Sequence, residues 1–142
     1  MKEIEIDGKL YKINCTAYTR FQYKKIFGVG IFEDINKINN FNAISLSKRE
    51  ELKKAGKSEK EIDTIIQSMM MSNLDDFMDV LQRIAYIEIL TANPQIGTFE
   101  QWLSDIKQIS LSDPWIAEVT EYAVNSFCGS GIDTGTKETT QG

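Results

Sequence analysis

The sequence predicts a mostly helical α+β domain. An N-terminal two-stranded β-hairpin should pack on about five or six helices over residues 1–128, with a flexible, disordered tail over 129–142. Three observations carry this. Apolar residues alternate on both sides of Asp7-Gly8. Apolar stripes at helical spacing then follow one another, most opened by a capping residue and closed by glycine or Asn-Pro. The last fourteen residues hold one large apolar residue, Ile132, too little buried surface to offset the entropy of ordering them.

The hairpin is read over 2–6 and 9–15. Both central residues of a type I′ turn need positive φ, which Asp-Gly supplies. With those two at the tip, Ile6 faces Lys9, Ile4 faces Tyr11 and Lys2 faces Ile13. Cross-strand partners share a face, so Ile4, Ile6, Tyr11 and Ile13 form one apolar patch. A lone hairpin is marginal in water, so the patch must meet helices.

Thr16 is the expected N-cap of a first helix running to Phe27, with Tyr18, Phe21 and Lys25 at helical spacing and Ala17 beside them. Gly28 and Gly30 end it. Ile31, Ile35 and Ile38 stripe a second helix, flanked by Phe32 and Phe41 and weakened by Asn39, Asn40 and Asn42. Ser47-Lys48-Arg49-Glu50 and Ser58-Glu59-Lys60-Glu61 both read as capping boxes. The first should open a short polar helix stopping at Gly56, the second a helix with Ile62, Ile65, Ile66 and Met69 on one face. Ser72-Asn73 breaks the pattern. Leu74, Phe77, Met78, Leu81, Ile84, Ala85 and Ile87 make the strongest amphipathic run, ended at Asn93-Pro94 because the residue before proline avoids the α region. A third capping box, Thr98 to Gln101, opens a helix carrying Trp102, Leu103, Ile106 and Ile109. Asp113-Pro114 opens the last, with Trp115, Ile116, Val119, Tyr122, Ala123 and Phe127 on its apolar side.

Composition narrows the chemistry. The chain has 142 residues, 16 Lys plus Arg against 21 Asp plus Glu, a net charge of −5 and no histidine. The acidic balance disfavours a nucleic-acid partner. The missing imidazoles remove Ser-His and Cys-His nucleophile pairs, histidine metal ligands and a histidine base. No segment approaches the roughly 20 apolar residues of a membrane span, and the acidic, alternating start is no secretory signal, so neither a membrane nor export is expected. Asn14-Cys15-Thr16 matches a glycosylation sequon by chance. Cys15 and Cys128 read as small buried side chains in a reducing cytoplasm. Gly28-Val29-Gly30 lacks the third glycine of a dinucleotide loop and follows a helix, so it is a helix stop. Asp75, Asp76 and Asp79 open a helix, where the macrodipole favours acids, and need no metal. The bases between Lys48 and Lys60 mix with Glu50, Glu51 and Glu59 as a solvated surface. No catalytic residue, cofactor or metal site is expected.

Met69-Met70-Met71 is the least ordinary feature. Three successive helical residues span about 200°. If Ile62, Ile65, Ile66 and Met69 face the core, Met71 points nearly opposite; either a second layer covers it or it is exposed. Exposed methionines suit varied apolar partners. Met70 and Met71 are the candidate partner-binding residues.

Ile4 to Asn14, in the form I-x-I-D-G-K-x-Y-x-I-N, is followed by Thr16, Phe21, Gly28 and the stripe from Ile31 to Ile38. This opening resembles the tail assembly chaperones of long-tailed (siphovirus-type) phages and prophages. The remainder agrees in layout, including a last helix after Asp113-Pro114-Trp115 that ends at Ser126-Phe127 before a polar tail. The resemblance implies a non-enzymatic protein of the host cytoplasm that coats the tape measure protein, helps to recruit tail tube subunits and is absent from the finished virion. It also implies that the tail could link to a frameshifted extension. Self-association along the partner would fit. The alternatives are a structural virion subunit (a tail-completion or connector protein), a small adaptor or inhibitor of a host protein, or a small enzyme using acids or Tyr and Lys.

Overall fold

The structure, a computed structural model, describes residues 1–110 and 112–129. Its elements run β1 (Lys2–Ile6), β2 (Lys9–Ile13), α1 (Ala17–Phe27), α2 (Ile31–Lys54), α3 (Glu59–Ser72), α4 (Leu74–Ala92), α5 (Phe99–Ser104) and α6 (Pro114–Cys128). This is the expected two-stranded hairpin followed by six helices. The expected disordered tail, apart from Gly129, lies outside the described residues.

Asp7 and Gly8 take φ of 53° and 78°, and the antiparallel register pairs Ile6 with Lys9, Ile4 with Tyr11 and Lys2 with Ile13. Ile4, Ile6, Tyr11 and Ile13 are all buried, so one face of the hairpin is core and the other is wet. Thr16 caps α1: its hydroxyl accepts the Tyr18 N–H, and the Thr19 hydroxyl accepts the Thr16 N–H at 2.9 Å. Gly28 closes the helix at φ 78°, its N–H donating to the Lys24 carbonyl.

The described residues gather into two compact units, one of residues 1–30 with those from 81 on, the other Ile31–Val80. In the first unit the hairpin borders α6, where Lys2 pairs with Glu118 at 3.4 Å. Tyr11 meets Trp102 of α5 edge-on, with Phe27, Tyr86 and Phe99 continuing an aromatic core. Trp102, Trp115, Leu81 and the whole run Ile84–Ile89 are buried, so the C-terminal half of α4 is covered on every side rather than on one stripe. The Thr91 hydroxyl gives its single proton to the Ile87 carbonyl at 2.8 Å; the Thr19 hydroxyl must therefore donate to Thr91, which joins α1 to α4. In the second unit Leu52, Ile62 and Ile66 form a small core, with Ile65, Met69 and Met70 packed on it. Arg49 bridges α2 to α3 through Asp63 at 3.0 Å and Glu59 at 3.8 Å. Among the described residues no helix is long and apolar enough to cross a membrane.

Two elements differ from expectation. Ser47 opens no helix; it lies inside α2, which runs unbroken from Ile31 to Lys54. The asparagines before it are weak helix formers but not breakers, and no glycine or proline intervenes until Gly56, whose φ is 84°. The helix opened by Thr98 stops at Ser104, short of Ile106 and Ile109. There the Lys107 N–H turns to the Asp7 carboxylate at 2.9 Å, a bond from the hairpin tip that replaces an intrahelical one.

Candidate partner-binding groove

The second unit carries an open apolar groove with a cavity volume of about 250 Å³. It is built on helical periodicity. Ile38, Phe41, Ile44 and Ser45 recur along one face of α2, while Phe77 and Val80 recur on α4 and Met69 comes from α3. Phe41 and Phe77 stack with ring centroids 4.7 Å apart and an interplanar angle of 30°, tying the α2 wall to the α4 wall. Ile38 and Val80 are buried, whereas Ile44 is 59% exposed. The Ser45 Oγ is buried here with no hydrogen-bond partner. The lip is polar: Lys37, Asn40, Asn73 and Asp76 line it, with Lys37 also reaching the Asp34 carboxylate at 3.5 Å. Such an arrangement binds by apolar burial, with polar groups at the edge setting orientation.

The methionines divide. Met69 lines the groove and, with Met70, is half-buried against Leu52, Ile62 and Ile66. Met71 points to solvent and is 63% exposed. Of the two candidate contact residues, Met71 is thus the free one and Met70 is largely a core side chain. Sequence reasoning did not single out Phe41, Ile44 and Phe77 as contact residues. Phe41 and Ile44 stood outside the stripe Ile31, Ile35, Ile38, and the break expected before Ser47 hid their alignment on α2; Phe77 was read as part of the α4 stripe.

The first unit holds a buried polar cluster that the sequence did not flag. Glu88 is 0% exposed on α4. Its Oε2 accepts the Cys15 thiol at 3.8 Å, and its Oε1 has no hydrogen-bond partner. Burial raises the Glu88 carboxyl well above the ordinary carboxylate range, opposed by the Cys15 hydrogen bond and the positive charge of Lys2. Burial first, then the charge of Glu88, pushes the Cys15 thiol up to about 12 against a bond from Ser126. The Tyr122 phenol is raised too, by burial and then by Cys15 and Glu88; it donates to the Asn14 Oδ1 at 3.4 Å. The Asn14 N–H donates to the Glu88 backbone carbonyl at 3.0 Å. These groups pin the end of β2 to α4 and α6. A thiol held protonated is a poor nucleophile, so the cluster is a structural clasp.

The other sequence candidates stay apart. Asp75, Asp76 and Asp79 are exposed at the start of α4, and among the described residues no group of three or more His, Cys, Asp or Glu could hold a metal ion. Cys15 is half-buried, but Cys128 is exposed at the end of α6, contrary to its reading as a buried side chain. No protein-family model, curated protein or solved structure matches the chain.

Proposed function

We propose that the chain is a non-enzymatic tail assembly chaperone of a long-tailed phage or prophage. It binds apolar stretches of the tape measure protein reversibly and helps to bring tail tube subunits to it. The observation that carries this reading is the open groove lined by Ile38, Phe41, Ile44, Met69, Phe77 and Val80, with the exposed Ile44 at its mouth. Exposed Leu46 and Met71 extend apolar surface on the same unit. A groove of this size makes a weak contact by itself. Many copies on one long partner supply avidity while leaving each contact reversible. Flexible methionine side chains tolerate varied partner sequence.

The experiment is co-expression with the tape measure protein of the same phage or prophage. The expected result is that the two chains copurify and the larger one stays soluble, and that Ile44→Asp, a change at an exposed position, weakens both effects. An insoluble partner with this chain eluting alone would overturn the proposal. So would finding the chain in purified particles at a fixed copy number, which would make it a virion subunit.

A further inference from the structure

The groove of the second unit constrains what can occupy it. Its apolar liners recur three residues apart, at Ile38, Phe41 and Ile44 on α2 and at Phe77 and Val80 on α4. The α2 wall from Ile38 to Ser45 is about 10 Å long, two turns of helix. Small-molecule sites run from roughly 300 to 1,000 Å³. A volume of about 250 Å³ falls below that range and suits the apolar side chains of a protein segment instead. The unit that holds the groove is all helix. An extended segment laid there finds no strand edge to pair with, and its N–H and C=O groups lie over an apolar floor. A helix satisfies those groups within itself and presents side chains one turn apart, the spacing of both walls.

The rim adds charge, and its sign differs between the walls. Lys37 stands on the α2 side. It pairs with Asp34 at 3.5 Å, but its side chain is 55% exposed while that of Asp34 is wholly buried, so the positive end of the pair faces out. Asp76 stands on the α4 side, exposed and in no ion pair among the described residues. No ionisable residue follows Lys37 on α2 until Lys48, and no Lys or Arg stands on α4 before Arg83. We propose that the groove takes one amphipathic helix of a partner protein, its apolar ridge seated in the trough, an acidic flank toward Lys37 and a basic flank toward Asp76. Turning such a helix end for end exchanges its flanks, which would set acid against Asp76 and base against Lys37. Like charges facing each other are penalised, so the groove admits its helix in one direction only. That the helix belongs to the tape measure protein rests on the functional reading above. On that reading, successive copies bound along the one long partner all face the same way.

Overlapping peptides that tile the tape measure protein, each long enough to form a helix, test this on the full chain by fluorescence anisotropy at low salt. The peptides that bind should carry large apolar residues three or four apart, acids along one flank and Lys or Arg along the other. The tightest is then remade with both flanks acidic and with both flanks basic, its ridge unchanged. Each remade peptide should bind about tenfold more weakly, a gap that closes as salt is raised. Asp76→Lys should make the all-acidic peptide the best binder, and Lys37→Glu the all-basic one, with circular dichroism checking that each variant is folded. Should Lys37→Glu fail to fold beside the buried Asp34, Lys37→Gln replaces it and should remove the penalty on the all-basic peptide. A proline at the middle of the peptide should abolish binding. A spin label on one end of the peptide should broaden the methyl signals of Ile38 and Ile44 unequally, and moving it to the other end should invert the order. Tolerance of proline, remade peptides that bind as well as the original, equal broadening from either end, or a tiling in which nothing binds would each overturn the proposal. If the whole tape measure protein still copurified with the chain, the functional reading would stand without this inference; loss of copurification as well would remove both.

Discussion

Glu88 shows how one residue sets a pH response. Its carboxyl is ordinary in the unfolded chain, near 4.5, and is held well above that in the fold by burial. Below 4.5 both states carry the proton and folding bears no penalty. As pH rises past that value the unfolded chain ionises while the folded one keeps its proton, so stability falls, by up to about 1.4 kcal/mol per pH unit, until the raised folded value is reached. The charged and titratable groups facing Glu88 are Lys2 on β1, Cys15 after β2 and Tyr122 on α6; the Cys15 hydrogen bond and the charge of Lys2 favour the ionised form, and burial outweighs both. Glu88→Gln keeps the shape and removes the titration. Thermal melts from pH 4 to 8 should show the wild type losing stability with rising pH and the variant nearly flat, and so more stable at neutral pH; parallel profiles would show that Glu88 is ionised in the fold. The same burial separates the two thiols. Cys128 is exposed and should react with a chromogenic disulfide reagent within its mixing phase, whereas Cys15, pushed up to about 12, should react only slowly until denaturant is added. Two equal fast phases would refute the clasp.

At the scale of elements, the paired capping boxes give a controlled comparison. Ser47 and Ser58 stand in the same S-x-x-E pattern, yet only Ser58 caps a helix, accepting the Glu61 N–H at 3.2 Å while the Glu61 carboxylate takes the Ser58 N–H at 3.2 Å. Ser47 is an exposed residue in the middle of α2. Ser58→Ala should cost about 1 kcal/mol of stability, and Ser47→Ala should be neutral or slightly stabilising because alanine is the better helix former. Urea titrations of both variants decide it; equal losses would place a helix boundary at Ser47 after all. The comparison also marks what the sequence could tell. Local chemistry was legible wherever it acts alone: the Asp7-Gly8 turn, the Thr16, Ser58 and Thr98 caps, and the Gly28, Gly56 and Asn93-Pro94 stops. It failed where a remote partner or a longer helix overrode it. The end of α5 is decided by a bond from Lys107 to Asp7, a hundred residues away in the chain, which no window around Thr98 contains. The groove was half legible for the same reason. Counting degrees put Met71 opposite the core face of α3 without saying whether a second layer covers it, and Phe41 and Phe77 become neighbours only once α2 is known to run on through Asn42 and Ser47.

At the scale of the whole molecule, the apolar stripes predicted helices correctly but did not say how the core would divide. Burial in the first unit is dense: Leu81, Ile84, Ile87, Trp102, Trp115 and the inner face of the hairpin are all nearly inaccessible. In the second unit α3 packs through a small cluster of Leu52, Ile62 and Ile66, with three half-buried neighbours. Helix α4 contributes to both, Leu74–Val80 to one and Leu81–Ala92 to the other. Regions with few buried apolar contacts open at lower free energy than dense ones. Backbone amides of α3 should therefore exchange with solvent well before those of Ile84–Ile89. Ile62→Ala removes a buried side chain from the smaller core, at a cost of about 2–5 kcal/mol. If the two units open separately, that cost appears as faster exchange in α3 while Ile84–Ile89 keeps its wild-type protection. Hydrogen exchange read by mass spectrometry on peptides from both segments distinguishes the outcomes. Equal acceleration in both segments would show one cooperative unit, and would mean that the continuous α4 transmits opening from the small core to the large one.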